Sequence, residues 1–133
     1  MPIISFTEKD LLRSKIVTPG WYRVRIESVG ETPSKDGQSV NYPVEAVIVC
    51  NADTGSEEFA GVPIEWNFNS KAPGFMVGFF QALGVEVQPR KKYELSNAAG
   101  KEIEVFVENQ VTPPEYGGRL RNTVNHKYRQ ARS

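Results

Sequence analysis

From Trp21 to Glu27 apolar and polar side chains alternate. Tyr22, Val24 and Ile26 point one way; Trp21, Arg23 and Arg25 point the other. A period of two marks a strand with one buried face, and here the opposite face is basic and aromatic. Asn41 to Cys50 reads as a second strand, rich in Val and Ile; its alternation fades past Glu45, so both faces are expected to be covered. Phe59 to Phe68 predicts a third, with Val62, Ile64, Trp66 and Phe68 on one face. Pro63 makes it an edge or bulged strand, because proline cannot donate to a ladder. Lys101 to Asn109 sets Ile103, Val105 and Val107 against Glu104, Phe106 and Glu108. Arg119 to Tyr128 sets Leu120, Asn122, Val124, His126 and Tyr128 against Arg119, Arg121, Thr123, Asn125 and Lys127.

One stretch breaks the two-residue rhythm. Phe75, Phe79 and Leu83 fall four apart, the spacing of a helix stripe, with Pro73 near the start and Gly84 just past the end. Ser5 to Leu12 predicts a short helical turn capped by Ser5 or Thr7. Asp36-Gly37 marks a hairpin tip, and Thr112 to Gly118 a Pro/Gly-rich loop. The order is therefore β-β-β-α-β-β. That is the order of an all-β, five-stranded OB-like Greek-key barrel with one short helix between strands 3 and 4. An open α+β sheet reads the same way.

The 133 residues make one domain, with residues 1–19 as an extension and 129–133 as a short basic tail. A hydrophobic fraction of 39% is enough for a packed core and excludes wholesale disorder. The single cysteine, Cys50, excludes an internal disulfide; with one histidine, His126, it also excludes the multi-cysteine and multi-histidine zinc motifs. No apolar run is long enough to span a bilayer and no signal peptide is evident, so a cytoplasmic location is expected.

The zero net charge conceals a separation. The last fifteen residues hold Arg119, Arg121, Lys127, Arg129 and Arg132 and no acid, leaving sixteen acids against eleven bases in the first 118. A basic end of this kind is suited to a polyanion, and equally to a solvated, frayed terminus. Nucleophile elbow, P-loop and zincin motifs are all missing. Cys50 ends an apolar strand and reads as a buried thiol, His126 lies among basic residues, and Glu57-Glu58 reads as a solvated loop. Nothing here supports an enzyme, a cofactor or a metal. Single-stranded nucleic acid, by contrast, is held by cations that follow phosphates and rings that stack on bases. The outer faces of the first and last strands carry both.

Several segments together resemble a known family. They are Asp10 to Val17 leading into Pro19-Gly20-Trp21-Tyr22-Arg23-Val24, then Ser34 to Tyr42, then Phe68-Asn69-Ser70-Lys71-Ala72-Pro73-Gly74-Phe75, and finally Tyr116-Gly117-Gly118-Arg119 with Asn122-Thr123-Val124. In order and spacing this resembles the phage and prophage single-stranded-DNA-binding proteins of replication and recombination. The resemblance implies an OB-type fold and sequence-independent binding of single-stranded DNA, in a host bacterial cytoplasm. It runs from about Asp10 to Tyr128. Many single-stranded-DNA-binding proteins end in an acidic tail that recruits partners; this chain ends in Arg129-Gln130-Ala131-Arg132-Ser133.

The expected DNA-binding residues are Trp21, Arg23 and Arg25 from the first strand, and Lys35, Asn41 and Tyr42 from the first hairpin. Tyr116, Arg119, Arg121, Lys127 and Arg129 join them from the last. Arginine and lysine would neutralise phosphates; Trp21, Tyr42 and Tyr116 would stack. Further partners consistent with this reading are a second copy of the chain, as homodimer or higher oligomer, and replication or recombination proteins; a membrane is not among them. Two alternatives stay open: a protein-interaction or virion-structural module on the same barrel, and a phage inhibitor of a host enzyme.

Overall fold

The computed structural model describes residues 3–8, 11, 15–35, 37–89, 92–111 and 120–131. Tyr116, Arg119 and the turn residue Asp36 lie outside the described residues. Among the described residues the elements with full bounds are β1 (Gly20–Val29), β2 (Thr32–Pro33), β3 (Val40–Asn51), β4 (Pro63–Asn69), the helix α1 (Gly74–Ala82), β5 (Glu102–Val111) and β6 (Leu120–Gln130). A short 3₁₀ turn, Leu95–Ala98, precedes β5. No helix among the described residues is long and apolar enough to cross a membrane.

All strand pairing is antiparallel, within a single sheet. β3 is paired on both flanks, by β1 and β2 on one side and by β4 on the other. β1 also pairs β5, and β5 pairs β6. Pro63 opens β4, which among the described residues pairs only β3, as an edge strand requires. Alternation holds where it is clearest: Tyr22, Val24, Ile26, Ile64, Phe68, Ile103, Val105 and Val107 are all buried in one core. On β3, Val44, Ala46 and Ile48 face that core, while Val47 and Val49 on the other face are only half-buried.

Two expectations need correction. The sheet has six strands, because the two residues of β2 add a short rung against Val40 and Asn41. It is also open. Among the described residues no backbone ladder joins β4 to β6, the pair that would close a barrel. Side chains fill that gap instead. Trp66 and Phe68 of β4 meet Tyr128 of β6, each pair with ring centroids 6.0 Å apart, and Phe79 of α1 sits 5.1 Å from Phe68 and 5.6 Å from Tyr128. Rings of this size hold the two backbones beyond the roughly 4.8 Å spacing of paired strands.

The helix starts directly after Pro73 and ends at Ala82, with Leu83 as its cap. Gly84 follows at φ 84°, the left-handed conformation that terminates helices and that glycine adopts without strain. The amino-terminal extension is partly built into the fold. Val17 is buried, its N–H donates to Asn122 Oδ1 at 3.0 Å, and Asn122 Nδ2 donates to the Lys15 carbonyl at 2.9 Å.

Candidate nucleic-acid interface

The outer face of β1, β5 and β6 brings together Trp21, Arg23, Lys127 and Arg129. Cross-strand register explains how. Trp21 lies opposite Phe106, Arg23 opposite Glu104, and Glu104 opposite Arg129. The Trp21 and Phe106 rings meet edge to face at 5.6 Å. The Arg129 guanidinium lies 4.2 Å over the Trp21 ring, and the Lys127 ammonium 5.2 Å over Phe106. Each is a cation held by the negative face of a ring. The result is a surface of alternating rings and cations across three neighbouring strands.

Carboxylates balance much of that charge. Arg23 is paired with Glu102, and Arg25 with Glu27 at 2.9 Å. Arg129 is paired with both Glu104 and Asp53, the latter at 2.9 Å. Glu104 is only 2% exposed, and Arg129 compensates its buried charge. Burial by itself would lower the Arg129 pKa; the hydrogen bonds and charges of Glu104 and Asp53 outweigh it and hold the pKa above the ordinary value. The side chains are thus held in fixed positions, and the face is less positive than its arginines alone imply.

Arg121 lies farther along β6, exposed, donating to Gln110 Oε1 at 3.1 Å. Lys35 is exposed in the turn between β2 and β3. Asn41 and Tyr42 are placed elsewhere. Asn41 Oδ1 accepts hydrogen bonds from Asn69 at 2.8 Å and Asn67 at 3.1 Å, tying β3 to β4. Tyr42 shares the inward phase of Val44, packs against the core and lines a cleft beside α1.

Two aromatic groups were not among the expected site residues. Phe106 is the one apolar side chain on the outward, otherwise polar face of β5, and that contrast was available in the sequence. Phe75 was read as part of the buried helix stripe. It is 54% exposed, and its ring stacks at 4.4 Å on His126. His126 has φ 53°, rare for a non-glycine residue, because residues 125–127 bulge between the Val107–Val124 and Val105–Tyr128 pairs. Burial lowers the His126 pKa, which favours the neutral ring. Its Nδ1 is 2.9 Å from the Tyr128 hydroxyl, which burial pushes well up.

Cys50, expected to be buried, is half-exposed on β3 opposite Arg23. Among the described residues no three His, Cys, Asp or Glu side chains gather as a metal-ligand set. No protein-family model matches the chain, and no curated protein sequence matches it.

Proposed function

We propose that this chain binds single-stranded DNA without strong sequence preference and serves phage DNA replication or recombination in the bacterial cytoplasm. We read the open antiparallel sheet as an OB-type Greek key, and its strand order supports that reading. The path β4-β3-β1-β5-β6, with α1 between β4 and β5, follows the strand order of such a barrel, left unclosed at the aromatic seam. The observation that carries the proposal is the interleaving of Trp21 and Phe106 with Arg129 and Lys127 on one outer face. Every base has a π-face, so a ring platform binds unpaired bases with little regard to sequence. Lys127, Arg121 and Lys35 supply charge to phosphates. The ion-paired arginines orient the platform and add hydrogen-bond donors at its edge.

Fluorescence anisotropy of a labelled oligo-dT tests this, titrated at low and moderate salt with duplex of equal length as competitor. Tight binding that weakens with salt and resists duplex is the expected result. No binding at low salt would overturn it and favour the protein-interaction reading.

A further inference from the structure

Arg129 is held by three groups of unequal permanence. Its Nε donates to Glu104, its Nη2 donates to Asp53 Oδ1 at 2.9 Å, and its guanidinium carbon lies 4.2 Å from the centre of the Trp21 ring. The Glu104 side chain is 3% exposed and the Asp53 side chain 56%. Glu104 is therefore a fixed partner, because releasing it leaves a buried charge without compensation. Asp53 is a surface partner. An ion pair of that kind contributes little and is screened by salt, so another anion can replace the carboxylate from solvent.

The turn that carries Asp53 is built to bring it there. Asn51 Oδ1 accepts from the N–H groups of Asp53 and Thr54, each at 2.9 Å. Gly55, at φ 75°, closes the turn onto the Asn51 carbonyl at 2.8 Å. The Ala52 N–H donates to the Trp21 carbonyl at 2.9 Å, which pins the turn beside the residue whose ring Arg129 covers. An exposed carboxylate thus stands at one edge of a guanidinium, on the face proposed to meet DNA. It offers Nη2 a negative charge and oxygen acceptors, and a phosphodiester offers the same. Lys127 is exposed two residues before Arg129 on the same strand face and supplies a second cation.

We propose that the Nη2 edge of Arg129 is the site of one DNA phosphate, and that Asp53 fills it in the free chain until the phosphate displaces it. The inference rests on the DNA-binding reading and names one contact within it. Glu104 keeps the guanidinium over Trp21 throughout, so the exchange moves the Asp53 side chain and not the platform. A strand that also engages Lys127 brings its phosphate to Arg129 at high effective concentration. A lone anion has no such advantage over Asp53, so the carboxylate favours polyanions over single anions.

Asp53→Asn tests this, by anisotropy of labelled oligo-dT over a range of salt. The substitution keeps the side-chain shape and the backbone bonds of the turn. The variant should bind about two- to fivefold tighter than the native chain, the equivalent of one surface ion pair. Its slope of log affinity against log salt should steepen by up to about 0.7, because Arg129 then meets the phosphate without a competing carboxylate. Two controls separate local exchange from a general change of charge. Glu86→Gln, on the loop after α1, alters the net charge equally and should leave affinity near native. In a chain that already carries Arg129→Ala and Glu104→Gln, Asp53→Asn should bring no gain at low salt. Native affinity in the Asp53→Asn chain overturns the proposal and leaves the DNA-binding reading standing. So does an equal gain from Glu86→Gln, or a gain that survives the loss of Arg129. If neither the native chain nor Asp53→Asn binds at low salt, the DNA-binding reading is overturned and the proposal falls with it.

Discussion

On the outer face of β1, β5 and β6, Arg23, Arg25 and Arg129 are each held by a carboxylate, and rings alternate with cations. At the seam between β4 and β6 the rings of Trp66, Phe68, Phe79 and Tyr128 pack on one another. Both regions are rich in aromatic residues, yet they stabilise the molecule by different means. The seam acts through area removed from water, which is non-directional and additive. The outer face acts through ion pairs and cation–ring contacts, which are individually small in water and screened by salt. A surface held this way keeps its shape, with Arg129 lying over the Trp21 ring and Lys127 over Phe106. Stability rests mainly on the seam; under the proposed function, binding rests mainly on the face.

The largest effect should come from the seam. Phe79 is fully buried where α1 closes over β4 and β6. Phe79→Ala is expected to cost about 3–5 kcal/mol in urea unfolding, because it removes a ring and leaves a cavity. A cost below about 1 kcal/mol would mean that the seam relaxes without it and that the comparison is wrong. Arg129→Ala should follow. It leaves Glu104 buried without its guanidinium, at about 2–3 kcal/mol, discounted because Arg129 is partly exposed. Arg129→Ala with Glu104→Gln should recover most of that loss, since no buried charge then remains. Equal losses in the single and double variants would show that the buried Glu104 charge is not the source of the loss.

How much of this contrast was legible in the sequence depended on distance along the chain. The inward residues of β1 and β5 follow from alternation alone. The bulge at residues 125–127 escaped notice because two extra residues leave a period of two intact: Val124 and Tyr128 keep the same inward phase. The seam escaped because closure of a barrel depends on the size of side chains that meet from β4, α1 and β6, which no local pattern encodes. The ion pairs were hidden for the same reason. Arg23 and Glu102 lie 79 residues apart, and Arg129 and Asp53 lie 76 apart. Composition showed a basic last strand; only the fold shows which acids meet it. Tyr42 lies apart from the expected residues of the outer face, packed against the core and beside the cleft at α1. Phase with Val44 turns it inward.

Smaller effects separate the two roles of the outer face. Trp21→Ala should weaken binding of single-stranded DNA by about 1–3 kcal/mol, the contribution of one stacked base, and leave the salt dependence unchanged. Lys127→Ala should instead flatten the slope of log affinity against log salt by about 0.7, the value for one phosphate contact on a single strand. The same anisotropy titration reads both. A Trp21→Ala chain with native affinity would remove that ring from the base path. An unchanged slope for Lys127→Ala would remove the lysine from the phosphate path.

The smallest effect lies where the two regions meet, at His126 on β6. Burial depresses its pKa below the ordinary 6.5. The unfolded chain therefore binds a proton more readily than the folded one between these two values. Stability rises with pH wherever the unfolded state binds more protons. It should thus fall as the pH drops below 6.5 and be level above it. His126 is the only histidine, so no other side chain with an unperturbed pKa titrates in this window. His126→Asn tests the assignment, because asparagine tolerates the left-handed backbone and carries no proton. Urea midpoints measured from pH 5.5 to 7.5 should fall below pH 6.5 for the native chain and lie flat for the variant. A native chain without slope would mean that the ring titrates as freely in the fold as out of it. Its stack with Phe75 would then be open to water, and the seam would end at Tyr128.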